Sequence, residues 1–89
     1  NLIMQNEIFF RKIRDKIKKE LNPEHISIID NSDLHSKHKF FDPKKFHLKL
    51  EIKSKKLKSM KKIDAHKAIF SILKDELNTS IHALEIEIK

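Results

Sequence analysis

The sequence predicts an α+β domain in which helices cover one face of a three-stranded mixed sheet. Apolar residues recur at helical spacing in segments 10–21 and 69–77, which indicates two amphipathic helices. They alternate with polar residues in segments 47–53 and 84–89, which indicates two strands with one buried face. A third strand is predicted at 25–30. The predicted order is helix, strand, strand, short turn or helix, helix, strand.

The first helix is predicted to end where its apolar stripe ends. The stripe consists of Phe10, Ile13, Ile17 and Leu21. Asn22-Pro23 follows it, and a residue before proline is disfavoured in the α region. The next run, from His25 to Asp30, is rich in β-branched residues and is predicted to form a short strand.

The connection at 31–46 shows no sustained period, and we predict no secondary structure of its own within it. It contains His35, His38 and the pair Phe40-Phe41. Its sixteen residues exceed the usual length of a hairpin loop, and such long loops are either functional or disordered. The two histidines favour a functional loop.

A lysine-rich segment follows the second predicted strand. Within that strand, His47 is predicted to lie on the wet, solvent-exposed face. The segment admits two interpretations, a solvated turn leading into a helix or an edge that contacts phosphates. Its six lysines are Lys53, Lys55, Lys56, Lys58, Lys61 and Lys62.

The last helix is predicted to run from Asp64, as its N-cap, to Leu77, with Asn78 as a left-handed stop. A helix of that length spans about 20 Å. His82 lies at the start of the final predicted strand, where loops from neighbouring elements can reach it. This position makes His82 the first candidate for a functional residue.

Topology predicts where the histidines lie. The second and third strands are separated by a helical crossover, so adjacent placement makes them parallel. The first strand, antiparallel to the second, then ends beside their beginnings. His82, His47, His35 and His38 are therefore expected at one edge of the sheet. His66, in the first turn of the last helix, is expected at the far end and is interpreted as a structural histidine.

Composition narrows the classes of function. The 89 residues form one small domain with 20 Lys and Arg against 13 Asp and Glu, a net charge of +7 that suits nucleic acid or an acidic protein. Because the chain lacks cysteine, any metal must be held by histidine nitrogen or carboxylate oxygen. No apolar run approaches the length of a membrane span, and we expect a cytoplasmic protein. No nucleophile motif or paired carboxylates indicate an enzyme.

Four groups of residues give the chain a resemblance to the BolA-like family. The resemblance extends from the first helix to the final strand, and the His-Ala-Leu after a leucine-ended helix is its most specific part. The matching residues are the run 30–35 with His38, the run His47 to Ser54, His66-Lys67, and Asp75-Glu76-Leu77 followed by Ile81-His82-Ala83-Leu84.

The resemblance implies a class II KH-like fold and a non-enzymatic adaptor. It implies a chain that is monomeric alone and forms a heterodimer with a monothiol glutaredoxin and glutathione, sharing a bridging [2Fe–2S] cluster used in iron–sulfur trafficking or iron sensing. The implied ligands are His82 and a loop histidine, which maps onto His35, with His38 as the open alternative. His47 is expected to be a hydrogen-bonding neighbour or a further ligand.

The resemblance also implies an alternative, a DNA-binding transcriptional regulator of morphology or stress response that uses the lysine-rich segment 53–62. Two departures from the family pattern weaken it. Ala65 replaces the first residue of the family's Arg-His-Arg, and Ser59 replaces a glycine. KH domains clamp the backbone with a Gly-x-x-Gly loop, and this chain has no glycine, tyrosine or tryptophan. The sequence therefore favours the adaptor.

Overall fold

The computed structural model describes residues 1–35 and 45–89. Within them, helices pack on one face of a three-stranded sheet, as the sequence predicts, and this arrangement is compatible with a KH-like fold. The elements are α1 (Leu2–Leu21), β1 (His25–Asp30), a 3₁₀ turn (Ser32–His35), β2 (Phe46–Lys53), α2 (Lys55–Ser59), α3 (Lys62–Ile72), α4 (Lys74–Thr79) and β3 (Ile81–Ile88).

The sheet has the order β1-β2-β3, with β1 antiparallel and β3 parallel to the central β2. The predicted parallel pairing is thus confirmed. The register shifts once: Phe46 lies opposite Ile81, but His47 lies opposite Ala83. His82 is the extra residue between these pairs and forms a β-bulge.

The alternation of apolar residues along β2 builds the core. Leu48, Leu50 and Ile52 are each no more than 4 % exposed and form one cluster with buried residues of the helices. The helical members of this cluster are Ile13 and Ile17 of α1, Leu57 of α2, Ala65 and Ile69 of α3, and Leu73. The residues of β3 that face the same side, such as Ile86, are only half-buried, so the helices cover the centre of the sheet better than its β3 edge.

The first helix begins eight residues before its predicted apolar stripe. Asn1 caps it by accepting a hydrogen bond from the backbone N–H of Met4 at 2.9 Å. Phe9 and Phe10 then pack on Phe46, at ring-centroid distances of 5.1 and 5.2 Å. The helix ends as predicted, with Asn22 in the left-handed conformation at φ 43°.

The predicted last helix is interrupted, and both of its predicted ends are wrong. Helix α3 begins after Lys61, so Asp64 lies inside the first turn, where its carboxylate still favours the positive helix terminus. The chain leaves helical geometry at Leu73, which separates α3 from α4. Asn78 stays helical and α4 continues to Thr79, whose hydroxyl donates to the carbonyl of Asp75 at 2.9 Å.

The loop after β1 also contains more structure than predicted. Asp30 accepts hydrogen bonds from the backbone and the hydroxyl of Ser32, and this local turn starts the 3₁₀ turn. His38 and the pair Phe40-Phe41 lie outside the described residues. Among the helices that are described, none is long and apolar enough to cross a membrane.

A buried ion pair joins the first and last helices. The ammonium of Lys16 on α1 donates to both carboxylate oxygens of Glu76 on α4, at 2.8 and 3.0 Å. Glu76 is 3 % exposed. Burial raises the pKa of Glu76, but the hydrogen bond from Lys16, the local backbone and the charges of Lys16 and Lys12 outweigh burial and leave the pKa below its ordinary value of 4.5.

We expect Glu76→Gln to lower the free energy of unfolding by about 1–3 kcal/mol at pH 7, because Lys16 loses its buried counter-charge. A folded-state pKa below the unfolded value stabilises the fold above the unfolded value, and this contribution is lost as the pH falls through the folded-state pKa. The gap between wild type and Glu76→Gln should therefore shrink as the pH falls below 4.5. Urea unfolding from pH 7 to pH 3 measures it.

The exposed Glu7 of α1 provides the matched control, since Glu7→Gln makes the same chemical change without a buried partner. Its effect should stay within about 0.5 kcal/mol. A pH-independent gap for Glu76→Gln would show that the ion pair does not stabilise the fold.

Candidate metal-ligand site

The bulge in β3 brings His82 to the surface. The preceding Ile81 is 2 % exposed and belongs to the core, whereas His82 and Ala83 are both exposed. A bulge adds one residue to a strand and redirects a side chain without breaking the sheet. The imidazole of His82 is therefore held by a rigid strand and remains open to a partner.

His47 lies against His82. Their ring centroids are 5.0 Å apart, with an angle of 42° between the ring planes. His47 is 8 % exposed, which corrects the prediction that it stands on the wet face. The prediction failed because alternation assigns a residue to one face of the sheet but does not show what covers that face at its end.

The turn after β1 fixes the backbone of His47. Asn31 donates its backbone N–H to the carbonyl of His47 at 2.8 Å, and His47 donates its own N–H to the hydroxyl of Ser32 at 3.2 Å. The start of the loop is thereby joined to the start of β2. The backbone of His35, three residues beyond Ser32, belongs to this same end of the sheet.

We call the end of the sheet where β2 and β3 begin the histidine end. Of the predicted site residues, the structure brings His82 and His47 together there, and His35 ends the 3₁₀ turn whose first residue, Ser32, accepts a hydrogen bond from the backbone of His47. His38 lies outside the described residues. The prediction that His47 and His82 lie at one edge of the sheet is confirmed, and the structure shows in addition that their rings are in contact.

His66 and the lysine-rich segment lie at the opposite end, which we call the lysine end. The Nδ1 atom of His66 lies 2.9 Å from the carbonyl of Lys62, a distance at which a protonated Nδ1 donates the hydrogen bond. The six lysines run from the end of β2 to the start of α3, and Lys58 donates to the carbonyl of Ile88 at 3.3 Å. His82 and Ile88 are six residues apart on β3, roughly 20 Å.

The charged outer face of the sheet separates the two ends. Lys49 lies 3.5 Å from Glu87 and 3.9 Å from Glu51, and Lys89 lies 3.7 Å from Glu51. The hydrogen bond with Glu51, followed by the charge of Lys49, lowers the pKa of Glu87 below its ordinary value. These carboxylates are already engaged with lysines, so they compete poorly as ligands for a metal.

The described residues contain no group of three or more His, Cys, Asp or Glu side chains placed to hold a metal ion. The pair His47–His82 offers imidazole nitrogen alone, and the chain has no cysteine. Imidazole nitrogen is a known ligand of zinc and of iron–sulfur centres.

The helices and the three-stranded mixed sheet define a small domain of the α+β class. The family model described as BolA-like protein matches residues 17–89, and the chain therefore belongs to the BolA-like protein family.

Two curated relatives illustrate the range of the family. The chain is 36 % identical over 76 residues to the DNA-binding transcriptional regulator BolA of Haemophilus influenzae, a match that covers 85 % of this chain and 71 % of the relative. It is 33 % identical to the chloroplastic protein BOLA1 of Arabidopsis thaliana, with 84 % of this chain and 49 % of the relative covered. The chain thus spans about half the length of the plant relative.

Solved structures share the fold. The BolA domain of SufE1 from Arabidopsis thaliana superposes with a TM-score of 0.75 at 34 % identity, over 89 % of this chain and 87 % of that domain. BolA1 from the same plant gives a TM-score of 0.73 at 32 % identity, with the same coverage.

The two histidines should differ in what they contribute to stability. We expect His47→Ala to lower the free energy of unfolding by about 1–3 kcal/mol, because it empties a buried position at the start of the central strand. His82→Ala, at an exposed bulge, should change it by no more than about 0.5 kcal/mol. Urea unfolding at pH 7 measures both. Equal losses for the two variants would contradict the difference in their burial.

Proposed function

We propose that this chain is a non-enzymatic adaptor that binds a monothiol glutaredoxin and shares a bridging [2Fe–2S] cluster with it. The observation that carries the proposal is the exposed His82, packed against the buried His47 at one end of the sheet in a chain without cysteine. The role follows what the family resemblance implies and extends it to particular residues of this chain.

The chemistry of the donors supports this assignment. A cluster of this type takes four ligands besides its bridging sulfides, and imidazole can replace thiolate on one of its irons. When bound, the cluster supplies an electron-accepting iron pair whose potential rises with histidine ligation. His82 would hold iron through a ring nitrogen, and His35 or His38 would supply the second imidazole. The glutaredoxin and glutathione would supply thiolates.

His47 has a separate role in the proposal. Its backbone is tied to the turn after β1, and its ring limits how the ring of His82 can turn. A ligand already held in one orientation loses less conformational freedom when it binds a metal. We therefore assign His47 as a positioning residue for His82.

The exposure of His82 supports a shared site. An edge strand allows a partner to approach from the side, and neither neighbour of His82 on β3 is a bulky exposed side chain. An enzyme would need an enclosed pocket with a nucleophile or a general base. The described cavity that His47 lines holds about 250 Å³ and contains no serine, threonine, cysteine or lysine.

DNA binding is the second candidate, and the curated relatives from Haemophilus influenzae and Vibrio cholerae are named as DNA-binding transcriptional regulators. The lysine end favours it, since Lys55, Lys56, Lys58, Lys61 and Lys62 are all exposed. Solvated lysines alone give weak binding that ignores sequence and falls steeply with salt. A site-specific footprint on duplex DNA at physiological salt would rank the regulator above the adaptor.

The adaptor is tested by mixing the purified chain with a cluster-loaded monothiol glutaredoxin. We expect a new visible absorption and circular dichroism spectrum, because imidazole ligation changes the electronic environment of one iron. His82→Ala should abolish the new spectrum in a protein that remains folded.

His25→Ala is the matched control for this experiment. His25 is also exposed and also lies on an edge strand, but it pairs with Lys53 at the lysine end. This variant should keep the mixed spectrum. Loss of the spectrum in both variants, or in neither, would refute His82 as a ligand.

A further inference from the structure

The outer edge of β3 carries backbone groups that can pair with another strand. Lys89 donates its N–H inward to the carbonyl of Ile52, and backbone groups alternate in direction along a strand. The N–H and C=O groups of Leu84, Ile86 and Ile88 therefore point away from β2. In the described part of the chain no strand pairs with this side, and Lys58 binds the last carbonyl there.

A groove runs beneath this edge. Its cavity of about 380 Å³ lies between β3 and helices α2 and α3. Leu57, Met60, Ile86 and Ile88 supply its apolar lining, while Lys58 and Lys62 supply two positive charges and Glu87 one negative charge. The volume suits one or two apolar side chains. The groove exists because the helices cover the centre of the sheet and leave the β3 edge half-covered.

The apolar surface continues beyond the cavity along α3. Phe70 follows the cavity-lining His66 by four residues, about one helical turn, and is 39 % exposed. An extended peptide presents every second side chain to the same face, at intervals of about 7 Å.

We propose that the β3 edge and this groove bind an extended segment of a partner protein by strand addition. On the side that faces the helices, the segment carries one apolar residue. Two positions before it and two positions after it, on the same side, the segment carries an acidic residue. The apolar side chain enters the cavity, and the carboxylates lie near Lys58 and Lys62. On its other side the segment carries uncharged residues, because they lie beside Glu85 and Glu87 of β3.

A second copy of the chain fits this edge poorly. Antiparallel pairing of two β3 strands about Ile86 would place Glu85 opposite Glu87 of the other copy, and like charges directly opposite are destabilising. Both copies would also carry a net charge of +7. The backbone of single-stranded nucleic acid lacks the repeating N–H and C=O groups that pair with a strand edge. Among the residues that line the cavity, His66 alone has a ring that could stack on a base.

The test titrates the nitrogen-15-labelled chain with the peptide acetyl-Thr-Glu-Thr-Leu-Thr-Glu-Thr-amide. We expect saturable shifts at the amides of Leu84, Ile86 and Ile88. His82→Ala, which removes the proposed cluster ligand, should leave the affinity for the peptide unchanged. The result is therefore independent of the proposed cluster site, and either proposal can fail alone.

Two double variants separate a specific groove from general charge. Lys58→Glu with Lys62→Glu should weaken binding by roughly tenfold or more, because both substitutions repel the peptide carboxylates. Lys55→Glu with Lys56→Glu makes the same change in net charge at exposed residues of α2 that do not line the cavity, and should weaken binding by no more than about twofold. Equal weakening by both would overturn the proposal.

A modified peptide tests the strand pairing on the unaltered chain. Methylation of alternate backbone nitrogens on the paired side removes the donors and should abolish binding. Unchanged binding of that peptide would overturn strand addition. Shifts of the same amides by an oligothymidine, with none caused by the acidic peptide, would assign the groove to single-stranded nucleic acid instead.

Discussion

The parallel pairing of β2 with β3 is the constraint from which the other features of the molecule follow. It requires a crossover, which the helices α2 to α4 supply, and it brings the beginnings of both strands to one end. The bulge between Ile81 and Ala83 then exposes one imidazole beside another that is buried. Without this register His82 and His47 would not share an end of the sheet. The candidate ligand site is thus a consequence of strand topology.

Strand β3 connects two ends of the sheet that carry different functional groups. At the histidine end, the rings of His47 and His82 lie with their centroids 5.0 Å apart. At the lysine end, a groove lined by apolar residues and by Lys58 and Lys62 lies under the β3 edge, with which no described strand pairs. The charged outer face of the sheet lies between them, where Lys49 pairs with Glu87 of β3 and Lys89 pairs with Glu51 of β2. Two partners could therefore contact β3 without competing for the same residues.

Most of the fold could be predicted because its elements are strongly periodic. The three strands, the parallel crossover and the end of α1 at Asn22 all follow from alternation, β-branching and the proline at position 23. The helix boundaries at Asp64 and Asn78 were mispredicted because capping residues are weak signals when tertiary packing decides. Leu73 shows this, since its full burial coincides with the break between α3 and α4. The burial of His47 depends on its neighbours in space, which periodicity does not encode.

Acid sensitivity of the mixed complex tests histidine ligation most directly. A free imidazole titrates at about pH 6.5, and a protonated imidazole cannot bind iron. We predict that the cluster shared with the glutaredoxin is lost at a higher pH than the all-thiolate cluster of the glutaredoxin alone. Visible circular dichroism during a downward pH titration measures both losses. Equal acid stability of the two clusters would contradict ligation through His82.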